Sequence, residues 1–169
     1  MKKILLVFIT LVLLVFSGCS NEKTGTLALK LTDAPTDLNI EKAVVTISEI
    51  AVHKAGASEN ESSWTTVVAE PQVFDLITLV NVSTVLGEQD LGIGDYTQIR
   101  LSIDSAVVTI DGKDYPLEVP SDKLKLTKGF SIEEGKTTTL TLDFDAKESI
   151  KDSGSGDYKL TPVIKIIQE

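Results

Sequence analysis

From Leu27 onward, apolar and polar positions alternate with the period of two that marks a strand buried on one face. Leu27, Leu29 and Leu31 alternate with Ala28, Lys30 and Thr32, until the turn formers of Thr32-Asp33-Ala34-Pro35-Thr36-Asp37 interrupt the run. From Ala43 to His53 the chain reads as extended again, but its apolar phase slips. Val45 and Ile47 share one face, while Ile50 and Val52 share the other. A one-residue slip predicts either a β-bulge or a strand that passes from one sheet to another. Lys54 to Ser63 is small and polar, an exposed loop, and Trp64–Val68 and Val73–Val80 read as strands parted by Pro71.

The strongest hairpin signal follows. Thr97, Ile99, Leu101 and Ile103 face one way and Gln98, Arg100, Ser102 and Asp104 the other. Val107 to Ile110 then enters Asp111-Gly112 and leaves through Tyr115 and Leu117, and Asp-Gly between extended segments predicts a type I′ turn. Leu124 and Leu126 mark a short strand ending at Gly129. Leu140, Leu142 and Phe144 point inward from Thr137–Phe144, and a last strand spans Tyr158 to Ile167. Only Val82–Leu86 and Ala146–Lys151 offer so much as one helical turn. Many short strands with frequent turn signals predict an all-β domain. The phase slip favours a single Greek-key-type β-sandwich, transthyretin-like or immunoglobulin-like. Seven to nine strands are expected, antiparallel with room for a mixed edge.

Ahead of this body stands a different pattern. Lys2 and Lys3 precede the apolar run Ile4–Phe16, which ends in Ser17-Gly18-Cys19. That run is shorter than the roughly 20 apolar residues a membrane-spanning helix needs, so a cleaved leader is expected. Phe16-Ser17-Gly18-Cys19 resembles the lipobox of bacterial lipoproteins, departing from it at Phe16, where Leu is usual. The resemblance implies cleavage before Cys19 and a diacylglycerol on its sulfur. The organisation expected is a leader over residues 1–18, a lipidated Cys19 with a polar tether over 19–24, and the sandwich over 25–169. Ser20 is not the aspartate that retains many lipoproteins at an inner membrane. The location expected is therefore extracytoplasmic, on the cell membrane or the outer membrane.

Charge narrows the partners. Removing residues 1–18 takes two of the 16 basic residues and none of the 25 acidic ones, leaving 14 against 25 and a formal charge of −11. An acidic surface of this size argues against binding nucleic acid or anionic lipid headgroups through a basic patch. Cys19 is the only cysteine, so disulfides and thiolate metal sites are excluded, and stability must come from the apolar core.

Several segments, in order, resemble a family. They are Gly25-Thr26-Leu27 with Leu31-Thr32-Asp33-Ala34-Pro35, Val52-His53, Trp64-Thr65-Thr66-Val67, Phe74-Asp75-Leu76, and Gly94-Asp95-Tyr96-Thr97-Gln98-Ile99-Arg100-Leu101. Gly129-Phe130, Leu140 to Ala146, and Tyr158-Lys159-Leu160-Thr161-Pro162-Val163-Ile164 continue the series. The whole mature chain is similar to the bacterial and archaeal lipoprotein domain DUF4382. The resemblance implies a surface-anchored β-sandwich similar in kind to transthyretin-like domains, and it implies no activity.

Candidate chemistry is sparse. His53 is the single histidine, and a hydrolase built on it needs a serine and a carboxylate in reach; no Gly-x-Ser-x-Gly elbow is present. Calcium is the one cofactor with candidate ligands, because it takes six to eight oxygens from loops rich in Asp and Gly. The pairs are Asp33 with Asp37, Asp143 with Asp145, and Asp152 with Asp157. Against this stands the ordinary use of aspartate to open turns by accepting backbone N–H bonds. Trp64 is the best-placed aromatic for a glycan platform, against the usual burial of aromatics in a sandwich core. The function expected is non-enzymatic: a lipid-anchored module with no cofactor, held to the membrane through Cys19, binding an envelope protein or a glycan. A calcium-stabilised adhesin-like module and a hydrolase using His53 are the alternatives. The sequence sets no oligomeric state.

Overall fold

Two strands much longer than the rest organise the molecule. In the computed structural model, which describes residues 22–34, 40–58, 60–119, 123–154 and 156–169, these are β2 (Ile40–Lys54) and β6 (Gly94–Ile110). The leader, Cys19 and Asp37 lie outside the described residues. Around the long pair stand β1 (Thr24–Asp33), β3 (Trp64–Val68), β4 (Gln72–Asp75), β5 (Thr84–Gly92), β7 (Lys113–Glu118) and β8 (Lys123–Ile132). The chain then forms β9 (Thr137–Phe144), a one-turn helix α1 (Ala146–Ser149), β10 (Ile150–Asp152), β11 (Tyr158–Leu160) and β12 (Ile164–Gln168). The described residues form twelve strands in two sheets, more than the roughly seven to nine expected, because several strands are short.

β2 and β6 pair antiparallel from Ile40↔Ile110 to Lys54↔Tyr96. Each outruns its other neighbours, so each is flanked by two short strands in succession. β4 and then β3 follow β2, while β8 and then β7 follow β6. The large sheet continues through β11 and β10. The smaller sheet has the order β12-β9-β1-β5, and its central pair, β1 with β9, is parallel. The large sheet has the mixed edge the sequence allows, since β11 pairs parallel with β7 beside the edge strand β10, and the small sheet adds a parallel pair at its centre.

The core lies between the sheets. Leu27, Leu29 and Leu31 of β1 and Leu140, Leu142 and Phe144 of β9 are fully buried. They face Val45, Ile47, Ile50 and Val52 of β2 and Ile99, Leu101 and Ile103 of β6. Each such side chain contributes roughly 1.5–3 kcal/mol by leaving water, which is how a chain without disulfides is held.

The phase slip in β2 is a bulge, not a sheet crossing. Thr46 pairs with Ser105, Ile47 with Ile103 and Glu49 with Ser102, so Ser48 and Asp104 both drop out of register. The shift turns Ile50 and Val52 back toward the core. A sheet crossing does occur, at Thr161-Pro162-Val163: proline lacks the N–H a ladder needs, and the strand expected over Tyr158–Ile167 splits there into β11 and β12, one in each sheet. Asp111 and Gly112 have φ of 50° and 70°, the type I′ hairpin the sequence predicts.

Two further expectations are corrected. Val73–Val80 is not one strand, because Asp75 accepts the Ile77 N–H (3.3 Å) and starts a 3₁₀ turn over Leu76–Leu79. Thr84–Leu86 is not helical, because it is drawn into β5 by pairing with β1 at Leu31↔Thr84 and Lys30↔Val85.

Candidate functional site

The antiparallel pairing of β2 and β3 sets His53 directly opposite Trp64, and β6 places Gln98 on the other flank of His53. The His53 and Trp64 rings lie 5.0 Å apart at 53°. Two residues along β6 from Gln98, the Arg100 guanidinium stands 4.0 Å from the Trp64 ring centroid, a cation–π contact. Trp64 is half-buried with one ring face covered by Arg100, so that face offers no platform for a sugar.

His53 is only 2% exposed, although it closes a strand. Its Nε2–H donates to the Ser58 carbonyl (2.9 Å), which fixes the tautomer. Its Nδ1 is buried and makes no hydrogen bond, as do Trp64 Nε1 and Gln98 Oε1. A triad would require a carboxylate on Nδ1. The geometry here instead ties the loop after β2 back onto the sheet.

The acidic candidates are separated by their surroundings. Asp33 ends the inward row of β1 and is 2% exposed. Its Oδ1 accepts the Ala146 N–H at 2.9 Å, while its Oδ2 is buried without a partner. Burial pushes its carboxyl up to about 6, the Ala146 N–H opposes the rise, and the neighbouring Asp145 and Asp143 add to it. Asp145 caps α1 by accepting the Glu148 N–H (2.9 Å). Asp143 lies on the other face of β9, paired with Lys165 of β12. Asp152 accepts the Gly154 N–H (2.7 Å), and the Asp157 carbonyl accepts the Ser153 N–H (2.9 Å), the bonds of a closed turn. Among the described residues, no group of three or more His, Cys, Asp or Glu side chains is arranged to hold a metal ion.

Exposed apolar residues form the other notable surface. Val73 is 66% exposed, and Val82 and Val85 are each 57% exposed. Gln72 Nε2 donates to the Leu86 carbonyl (2.8 Å) and links β4 of the large sheet to β5 of the small one, while Val73 lies on the outward side of β4, between Gln72 and Phe74, which pair with the buried Ile47 and Val45. The Thr32 hydroxyl donates to the Val82 carbonyl (2.8 Å) and holds the loop before β5 at the far end of β1. These valines were not singled out in the sequence. Val85 falls on the solvent face of an edge strand whose alternation is broken by a bulge, so the only signal was a pair of valines in a segment without a clear period.

A family model described as "Domain of unknown function (DUF4382)" matches residues 24–162. The chain belongs to the DUF4382 family. The DUF4382 match runs from β1 to just past β11 and leaves β12, the edge partner of β9, beyond it. No curated protein matches the chain. Two solved structures of Bacteroides proteins, each described as a "putative cell adhesion protein", are similar to this chain. The one from Bacteroides ovatus is 15% identical, with a TM-score of 0.29 over 86% of this chain and 45% of its own. The one from Bacteroides eggerthii is 13% identical, with a TM-score of 0.32 over 86% of this chain and 56% of its own. The DUF4382 chain thus spans about half the length of each.

Proposed function

We propose that this DUF4382 protein is a lipid-anchored, extracytoplasmic binding module that engages another protein of the cell envelope and performs no catalysis. The observation that carries this reading is the exposure of Val82 and Val85, three positions apart at the start of β5 and among the most exposed large apolar side chains described. Isolated exposed apolar residues are ordinary, but neighbouring ones on a rigid scaffold mark a contact surface. An aliphatic surface of this kind suits a protein partner better than a glycan, which is gripped through open aromatic faces.

Placement supports the reading. Thr24 pairs with Gly92 and Leu31 with Thr84, so Val82 stands at the end of β1 farthest from the tether, about 30 Å away at the usual strand rise. A chain held through diacylglycerol on Cys19 presents that end outward. The arrangement of His53 weighs against a hydrolase, and the use of Asp145 and Asp152 by backbone amides weighs against calcium ligation.

The test is a photo-crosslinking side chain introduced at Val85 in cells, with the same group at Thr66 as control. A discrete crosslinked product at Val85, absent at Thr66 and lost on adding Val82→Asp, supports the reading. Equal products at both positions, or none at either, overturns it.

A further inference from the structure

The opposite end of the sandwich carries one exposed isoleucine in a setting built to hold it still. β5 and β6 are joined through Ile93 alone, between Gly92 and Gly94. Gly94 has φ of +133°, which a side chain rarely tolerates, and a Cβ there would lie 3.0 Å from Lys54 Cε. The Tyr96 hydroxyl donates to the Gly92 carbonyl (3.0 Å), and the Ile93 N–H donates to the Lys23 carbonyl (3.1 Å). Ile93 remains 39% exposed at the tip. Glu22, Lys23, Lys54, Gly92 and Ile93 line a hollow of about 370 Å³ beside it.

We infer that this end lies against the bilayer, with Ile93 entering the headgroup layer and a lipid headgroup seated between Lys23 and Lys54. The inference rests on the lipid anchor proposed above, and it specifies the partner of the surface nearest to it. Five residue steps separate Cys19 from Thr24, which at full extension reach at most about 18 Å. The start of β1 therefore stays within about that distance of the Cys19 backbone, and the Ile93 tip is bonded to the residue just before it.

Charge agrees with the placement. Around the tip Lys23, Lys54 and Lys136 stand against Glu22, Glu133, Glu134 and Asp95, close to balance in a mature chain of formal charge −11. Glu134 and Glu133 are moreover bonded to Lys23 (2.8 Å) and Lys136 (2.6 Å), and Asp95 accepts the Ser131 hydroxyl (2.6 Å). The end nearest the anchor thus carries little of the chain's net negative charge, and an isoleucine flanked by lysines has the character of an interfacial contact.

The test uses the full chain, expressed in a bacterial host and reconstituted into vesicles of phosphatidylethanolamine and phosphatidylglycerol with brominated acyl chains. Ile93→Cys and Val82→Cys are labelled separately with a fluorophore, the Cys19 sulfur being capped if it is acylated. Flotation with the vesicles, no titratable thiol in the unsubstituted chain, and loss of fluorescence at Ile93→Cys but not at Val82→Cys support the inference. In the unsubstituted chain, hydroxyl-radical modification of Ile93 should fall on vesicles while that of Val82 does not. Flotation with equal fluorescence at both positions overturns the orientation while leaving the anchor standing. A titratable Cys19 thiol with no flotation overturns the anchor, and the orientation with it.

Discussion

Asp33 Oδ1 accepts the Ala146 N–H at 2.9 Å, joining the end of β1 to the first turn of α1 across 113 positions of sequence. The bond satisfies a backbone donor that burial would otherwise leave unpaired. It does so with a carboxylate whose second oxygen has no partner, so this stitch between β1 and α1 carries an electrostatic cost.

That cost depends on pH. The unfolded carboxyl releases its proton near 3.8, whereas the folded one holds it up to about 6. Between those values the folded chain binds more protons, so stability falls as pH rises through the window and levels off above about 6. Below 3.8 both states are protonated and the penalty vanishes. The penalty at neutral pH is on the order of 1–3 kcal/mol. Asp33→Asn keeps an acceptor for Ala146, so the difference in stability between the two proteins should change across this window and be constant outside it. Urea midpoints measured from pH 3.5 to 7.5 read it directly, and parallel pH profiles would refute the assignment.

Gly25 is required by the approach of another strand's turn. A Cβ at this position would strike the Glu133 carbonyl oxygen and come within 2.9 Å of the Lys136 carbonyl oxygen, both backbone atoms. The same turn is bonded to β1 through Gly135 N–H to the Thr24 carbonyl and Thr26 N–H to the Lys136 carbonyl, each 2.9 Å. Gly25→Ala should therefore cost about 2–3 kcal/mol, as overpacking against backbone does. Gly129→Ala, where a Cβ meets nothing within 4 Å, should stay within about 0.5 kcal/mol of the parent. Thermal unfolding of the two variants side by side decides the matter.

The strands that present one face to the core were legible because burial writes a period of two into the sequence, as Leu27-Leu29-Leu31 and Leu140-Leu142-Phe144 show. β5 was not. Its inward residues Leu86 and Leu91 are five positions apart, because Leu86 is skipped where Leu29 pairs with Gly87 and Lys30 with Val85. The parallel pairing of β1 and β9 is a long-range choice that neither strand's alternation encodes. At the sites, the six aspartates looked alike as turn formers. What separates Asp33 from Asp145 is the depth to which tertiary packing carries it. The covering of Trp64 by Arg100 likewise depends on a register between β3, β2 and β6 that no local pattern reveals.

The bulge between β2 and β6 should draw measurable stability from its own bond. Ser48 and Asp104 are the two residues expelled from register, and the Ser48 hydroxyl donates to Asp104 Oδ1 at 2.5 Å. A double-mutant cycle with Ser48→Ala and Asp104→Asn should return a coupling of about 0.5–1.5 kcal/mol, the range for a charge-assisted bond on a partly wet surface. A coupling indistinguishable from zero would mean that the bulge is set by the apolar phase alone.

Trp64 is the only tryptophan, so intrinsic fluorescence reports on the His53 corner without a label. Arg100 covers one face of its ring, and the pair at 4.0 Å should contribute about 0.5–1 kcal/mol. Arg100→Ala should shift the emission to longer wavelength as water reaches that face, with destabilisation of about that size plus lost packing of the arginine stem. His53→Ala should act differently. It removes the donor to the Ser58 carbonyl and leaves a cavity beneath the indole, so the loop over Lys54–Ser63 should lose protection from proteolysis while the remaining strands keep their amide-exchange protection. If His53→Ala instead loosens β2 and β6 together, the histidine is part of the core rather than a latch for the loop. Full loop protection in that variant would show that Ser58 is held by its hydroxyl contact with Ser63 (3.0 Å) alone.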